Sequence, residues 1–148
     1  MSKWVIGILG GSGVYAIEGL HDVREDWIDT PWGDPSGPVT RGRLNEIDLV
    51  FMPRHGPGHT QSPSTVNYRA NIDAFKRAGV TDILSLSACG SLQPQYAPGD
   101  FVIIDQFIDR TFAREKSFFG PGCVAHVSMA HPVCERLAGL AFEAAQAA

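Results

Sequence analysis

The sequence is poor in cysteine, carries no excess of positive charge and contains no long apolar run. Its three cysteines are an odd number without C-x-x-C spacing, which indicates neither a disulfide framework nor a zinc site and favours reduced thiols in a cytoplasmic protein. The net charge of -4 argues against nucleic-acid or anionic-membrane partners. No run approaches the ~18 to 20 apolar residues of a membrane span, and the apolar run after Lys3 is too short for a signal peptide.

What the chain does have is length, hydrophobic content and many loop-forming residues. A chain of 148 residues with 44% hydrophobic residues can form one domain with a proper core. Its 16 glycines and 10 prolines cluster between the predicted elements. This distribution predicts long, shaped loops, where functional sites usually lie.

The first of these loops follows a strand predicted over Trp4 to Leu9. The strand runs directly into Gly-Gly-Ser-Gly at positions 10–13, whose backbone conformations glycine adopts most easily. Such a turn directs several backbone N–H groups to one point, and the hydroxyl of Ser12 adds a donor. The stretch is consistent with a phosphate subsite and equally with a tight structural turn.

The same glycines fit a dinucleotide-binding pattern, with Gly11, Gly13 and Ala16 at the required spacing. That motif needs a full helix behind the glycines, and Gly19 interrupts the helix here. No Gly-Lys-Ser/Thr follows, so a P-loop is absent from the sequence. We therefore expect no affinity for NAD.

The order of the predicted elements indicates an α/β fold. A hairpin of strands is predicted at Val39 to Leu44 and Ile47 to Met52, with Asn45-Glu46 as its turn. A helix is predicted to begin at Ser62-Pro63 and end at Gly79, before a strand at Ile83 to Ala88. Its apolar face comprises Tyr68, Ile72, Ala74, Phe75 and Ala78. Further predictions are strands at Phe101 to Ile104 and Val124 to Met129, and a helix that begins at Pro132 with Leu137, Leu140 and Ala141 facing the core.

Arg54 and His55 follow the second strand of the predicted hairpin. An Arg beside Gly56 at a strand end is suited to bind an oxyanion, although a solvent-exposed loop Arg is the commoner case. His55 and His59 have the spacing of a helical metal pair. The intervening Gly-Pro-Gly prevents a helix, so the sequence disfavours a metal site.

Ser87 and Ala88 close the next predicted strand. A hydroxyl at the carboxyl end of a strand is a common ligand position in open α/β sheets, and a core strand with tolerated small residues is the alternative. Cys89 is a weak candidate nucleophile because its surroundings are apolar. If the strands are parallel neighbours, the ends at Gly10 to Gly13, Arg54-His55 and Ser87-Ala88 converge on one phosphate-sized spot.

Five motifs together resemble the methylthioadenosine phosphorylases of the trimeric purine nucleoside phosphorylase family. They are G-I-L-G-G-S-G, P-R-H-G-P-G-H, V-N-Y-R-A-N, S-A-C-G-S and P-G-D-F-V-I-I-D-Q-F-I-D-R-T, in this order along the chain. The resemblance implies an α/β fold with a central mixed β-sheet flanked by helices. It also implies the reversible phosphorolysis of methylthioadenosine to adenine and 5-methylthioribose 1-phosphate.

The resemblance assigns roles to individual residues. Ser12, Arg54, His55, Ser87 and Ala88 match positions that bind phosphate, and Ala88 also lies near the ribose in the family. His126 matches a His that extends from one subunit toward the 5′-alkylthio pocket of its neighbour. The implied partners are therefore a small-molecule nucleoside, phosphate and two further copies of the chain in a homotrimer, with no metal or organic cofactor.

The resemblance covers the N-terminal half of the family's single domain. The acid that protonates the purine is expected outside these 148 residues, so the catalytic residue is unknown and the sheet is expected to be incomplete at its C-terminal side. Preference for adenine over hypoxanthine stays open, and with it a methylthioinosine or general purine nucleoside phosphorylase. A non-catalytic phosphate- or nucleoside-binding fragment is the alternative of another class.

Overall fold

The computed structural model describes residues 4–11 and 17–148, which divide into two compact units. The first comprises the described residues of Met1–Ser87 together with Ala113–Phe118, and the second comprises Ala88–Phe112 and Phe119–Ala148. That both are parts of one domain stays a prediction. The first unit contains β1 (Val5–Gly10), β2 (His21–Asp26), β3 (Val39–Leu44), β4 (Ile47–Pro53), a 3-10 turn (Pro57–His59), α1 (Tyr68–Arg77) and β5 (Asp82–Ser85), and the second contains α2 (Glu135–Ala147).

The first unit is built on a five-stranded mixed sheet with the order β2-β3-β4-β1-β5. Strand β1 is parallel to β4 on one side and to β5 on the other, while β2, β3 and β4 form antiparallel pairs. The predicted hairpin is confirmed, with Leu44 opposite Ile47. Because β1, β4 and β5 run in the same direction, their carboxyl ends meet at one edge of the sheet.

Helix α1 packs on one face of the sheet. Phe75 is fully buried in a cluster with Leu9 and Met52, while Ile8 and Phe51 belong to a second cluster. A Cβ at Gly7 would lie 2.8 Å from Val80 Cγ1 and 3.3 Å from Phe75, so the absence of a side chain there lets the helix approach the central strand closely.

The predicted start of α1 at Ser62-Pro63 is wrong. The helix is capped by Asn67, whose side chain accepts a hydrogen bond from the backbone N–H of Ala70 at 3.1 Å. Ser62 instead opens a separate turn, in which its carbonyl accepts from the N–H groups of Thr65 and Val66. Ala74, Phe75 and Ala78 of the predicted apolar face are buried as predicted. Ile72 is 37% exposed instead, and Asn71 is fully buried. The predicted end is confirmed, since Gly79 follows the cap residue Ala78 with φ +86°.

The second unit has little regular structure apart from α2. The strands predicted at Phe101 to Ile104 and Val124 to Met129 are wrong: residues 101–104 and 124–129 form no strand and are exposed, with Phe101 at 81% and Val124 at 77%. A strand needs a neighbour to pair its backbone groups, and no described residue pairs with these segments. Helix α2 begins at Glu135 rather than at Pro132.

The side chains of helix α2 are at most half-buried. Leu137 and Ala141 are half-buried as the predicted core face requires, but Leu140 is 45% exposed. Neither helix of the described chain is long and apolar enough to cross a membrane.

Candidate functional site

The candidate site lies where β1, β4 and β5 end. Gly10 is paired with Pro53, and Leu9 is paired with Ser85 on the other side of the same strand. Two further backbone hydrogen bonds extend these pairings, from Arg54 N–H to the Gly10 carbonyl at 3.0 Å and from Leu86 N–H to the Leu9 carbonyl at 2.9 Å. The structure thus brings together Gly10, Gly11, Arg54, His55 and Ser87, as the pattern of strand ends predicts.

The guanidinium of Arg54 extends from β4 toward the end of β5. Its Nη1 donates to the hydroxyl of Ser87 at 2.5 Å and lies 3.5 Å from the carbonyl of Leu86. Among the described residues no carboxylate lies within ion-pair distance of this half-buried cation. Its positive charge is therefore not neutralised by the described part of the chain and is available to an anion.

His55 is held in one orientation by two contacts. Its Nδ1 lies 2.9 Å from the carbonyl of Gln61, and because a carbonyl can only accept, Nδ1 carries a proton. Its Nε2 accepts from Arg54 Nε at 3.3 Å. The ring stacks on His59 with 4.5 Å between ring centroids. No group of three or more His, Cys, Asp or Glu side chains that could hold a metal ion occurs within residues 4–11 and 17–148.

A cavity of about 510 Å³ adjoins this cluster. It shares Gly10, Gly11 and His55 with the cluster and extends past Thr40 and Glu25 toward His59. A volume of this size can hold a small molecule. Its full lining consists of Gly10, Gly11, Glu25, Pro38, Thr40, Pro53, His55, Gly56, Pro57, Gly58 and His59.

Three of the residues assigned by the resemblance are not part of the described cluster. Ser12 lies outside the described residues, as do Gly13 and Ala16 of the dinucleotide pattern. Ala88 follows Ser87 directly, is exposed and belongs to the second unit. His126 is exposed in the second unit. Their roles stay predictions.

Two polar residues beneath the cluster were not predicted from the sequence. Ser36 and Asn71 are buried and hydrogen-bonded to each other, and Ser36 Oγ donates to the carbonyl of Arg54 at 2.8 Å. One signal was available: Asn71 lies four residues after Asn67, on what is otherwise the apolar face of α1. An Asn at such a position needs buried hydrogen-bond partners.

Comparison with known proteins gives a consistent result along the whole chain. The sequence profile of the phosphorylase superfamily matches residues 5–148. The chain is 63% identical over 145 residues to an S-methyl-5′-thioadenosine phosphorylase of Cereibacter sphaeroides, covering 98% of this chain and 50% of the relative. It is 50% identical over 144 residues to the enzyme of that name from Saccharolobus solfataricus, covering 97% and 53%. The chain thus spans about half the length of the curated relatives it matches.

Solved structures support the same fold. A methylthioadenosine phosphorylase from an antarctic soil metagenomic library superposes with a TM-score of 0.91 at 48% identity, covering 96% of this chain and 50% of that one. The methylthioadenosine phosphorylase of Schistosoma mansoni in complex with tubercidin gives 0.87 at 42% identity, covering 97% and 52%. The expected α/β fold with a central mixed sheet is confirmed.

Proposed function

Because this chain belongs to the phosphorylase superfamily, we propose that it forms the phosphate-binding part of an S-methyl-5′-thioadenosine phosphorylase. The reaction is the reversible phosphorolysis of methylthioadenosine to adenine and 5-methylthioribose 1-phosphate. The observation that supports this most strongly is the Arg54 guanidinium at the carboxyl ends of three strands, bonded to Ser87 and without a carboxylate partner in the described residues.

Each member of the cluster matches a need of the reaction. Phosphate attacks C1′ of the ribose while the purine leaves, through a cationic transition state, so the site must hold a dianion beneath that carbon. Arg54 supplies the positive charge, the Ser87 hydroxyl supplies a short donor, and the glycines that follow β1 let an anion approach the backbone. Their main effects are positioning and charge complementarity.

His55 completes the described side of this site. In its neutral form, with the proton on Nδ1, its Nε2 accepts from Arg54. An incoming phosphate oxygen competes with this ring for the Arg54 Nε–H, while the bond from Nδ1–H to the Gln61 carbonyl keeps the ring beside the anion. We assign phosphate binding to Ser12 and Ala88 as well, on the strength of the family motifs.

The remaining parts of the proposal concern the complete enzyme. We propose a cytoplasmic homotrimer in which His126 extends toward the neighbouring subunit's 5′-alkylthio pocket and in which no metal or organic cofactor takes part. We place the acid that protonates the purine outside these 148 residues. The 148-residue chain alone is then expected to bind phosphate without turning over methylthioadenosine.

Calorimetric titration with inorganic phosphate tests the proposal. We expect the 148-residue chain to bind phosphate, and Arg54→Ala to weaken binding at least roughly tenfold, since it removes the charged donor. Arg77→Ala is the matched control: it removes an equal charge from the end of α1, where Arg77 pairs with Asp73. Equal affinity of all three proteins, or no binding by any of them, would contradict the assignment. Adenine release by the chain alone would contradict the placement of the acid.

A further inference from the structure

We propose that Ser36 and Asn71 are positioning residues that hold Arg54 in its anion-binding orientation. The proposal rests on the phosphate-binding role of Arg54 and extends it to residues that do not touch phosphate. Ser36 lies in the loop between β2 and β3, and Asn71 lies on α1. They are buried polar residues of the first unit, with Ser36 at 4% and Asn71 at 0% exposure.

Asn71 uses both atoms of its amide group on Ser36. Its Oδ1 accepts from the backbone N–H of Ser36 at 2.7 Å, and its Nδ2 donates to Ser36 Oγ at 2.9 Å. These contacts attach the loop to a helix whose position is set by Phe75 and the core beneath it. One turn earlier, Asn67 Nδ2 donates to the carbonyl of Trp32 at 2.7 Å and holds the same loop at a second point.

The amide of Asn71 also determines the direction of the Ser36 hydroxyl. A hydroxyl has a single proton, and Ser36 Oγ already accepts from Asn71 Nδ2. The proton is therefore directed to the carbonyl of Arg54, with 2.8 Å between the oxygens. The backbone of Arg54 is thus held on both sides of its Cα, with Ser36 bonded to its carbonyl and Gly10 bonded to its N–H.

A second chain of contacts reaches His55. The carbonyl of Ser36 accepts from Gln61 Nε2 at 3.3 Å. The backbone N–H of Gln61 donates to the carbonyl of His55 at 2.9 Å, and the Gln61 carbonyl accepts from the His55 ring. Ser36 therefore contacts both ends of the loop that carries the candidate anion-binding side chains.

This arrangement matters because Arg54 has a long, flexible side chain. Its guanidinium meets Ser87 only if the backbone at Arg54 points it toward the end of β5. A backbone fixed on both sides of the Arg54 Cα reduces the conformations that the side chain must lose when phosphate binds. Fully satisfied buried networks of this kind are rigid, which suits a positioning role.

The test compares Ser36→Ala with Ser36→Thr and with Phe75→Leu. The Ala variant removes the donor to Arg54, the Thr variant keeps the hydroxyl, and the Leu variant destabilises the neighbouring core without touching the network. Two quantities are measured on the 148-residue chain: the phosphate dissociation constant by calorimetry, and hydrogen exchange of the Arg54 Nε–H by NMR. Thermal melts compare the stability that Ser36→Ala and Phe75→Leu each lose.

We expect Ser36→Ala to raise the phosphate dissociation constant about tenfold and to speed exchange of the Arg54 Nε–H, whereas Ser36→Thr and Phe75→Leu stay close to wild type. Equal effects of Ser36→Ala and Phe75→Leu, or no effect of Ser36→Ala, would overturn the proposal. If the Ala variant does not fold, Gln61→Met removes the donor to the Ser36 carbonyl and is expected to produce the same pair of changes. If wild type binds no phosphate, the proposed function fails, while the exchange measurement still decides whether Ser36 positions Arg54.

Discussion

Arg54 Nη1 donates to Ser87 Oγ at 2.5 Å, although the strands that lead to these residues are not neighbours. Strand β1 lies between β4 and β5, so the contact spans the carboxyl end of β1 at Gly10. Because glycines occupy positions 10 and 11, no side chain there blocks an anion from approaching the backbone beneath this bridge. The bridge links the ends of β4 and β5, which flank Gly10.

Ser87 is expected to contribute to phosphate affinity through its hydroxyl. Ser87→Ala removes the acceptor that orients Arg54 and a donor for phosphate, so we expect about tenfold weaker phosphate binding by calorimetry. Ser87→Thr keeps the hydroxyl and is expected to bind within a few-fold of wild type. Weaker binding by Thr than by Ala would show that the hydroxyl is not the relevant group.

Much of the first unit could be predicted from the sequence because the patterns that indicate its strands lie within short stretches of the chain. The strands at 5–10, 39–44 and 47–53 are short apolar or alternating runs bounded by turn residues, and the glycines and Arg54-His55 directly follow two of them. Their convergence follows from the parallel pairing of β1 with β4 and β5.

The missed features depend on contacts between distant parts of the chain. Asn67 rather than Ser62 caps α1, because the Asn67 side chain accepts from the N–H of Ala70 and also donates to the carbonyl of Trp32. Ser36 and Asn71 are 35 residues apart and meet only in the folded chain. The apolar run at 101–104 has the composition of a strand, but a strand also needs a pairing neighbour, which composition cannot supply.

Gly7→Ala tests the close approach of α1 to the sheet. The new Cβ would lie 2.8 Å from Val80 Cγ1 and 3.3 Å from Phe75, so we expect a loss of about 1–3 kcal/mol in the free energy of unfolding by urea. Gly139→Ala is the control, because its Cβ meets nothing within 4 Å and Ala favours a helix. A Gly7→Ala protein as stable as wild type would contradict the packing described.

Gly56→Ala and Gly58→Ala form a matched pair in the loop beside His55. Both glycines have a positive φ, +74° and +71°, which costs an Ala residue about 1–2 kcal/mol. At Gly56 alone the Cβ would also lie 2.9 Å from the carbonyl oxygen of Ser36. We therefore expect Gly56→Ala to lower the melting temperature and the phosphate affinity more than Gly58→Ala does. Equal losses would show that the contact with Ser36 does not matter.

Hydrogen exchange measured by mass spectrometry should distinguish the two sequence segments that were both predicted as strands. Strand β1 pairs on both sides, so we expect slow exchange across Val5–Gly10. Residues 101–104 form no ladder among the described residues and carry exposed side chains, so we expect fast exchange there in the 148-residue chain. Equal protection of the two segments would contradict the described structure.

The most direct test of the proposed function joins these 148 residues to the second half of the Cereibacter sphaeroides relative, which is 63% identical over the first half. With methylthioadenosine and phosphate, we expect this chimera to release adenine, and Arg54→Ala to reduce kcat/KM about a hundredfold or more while the protein stays folded. A folded chimera that releases adenine at the same rate with and without Arg54 would contradict the account.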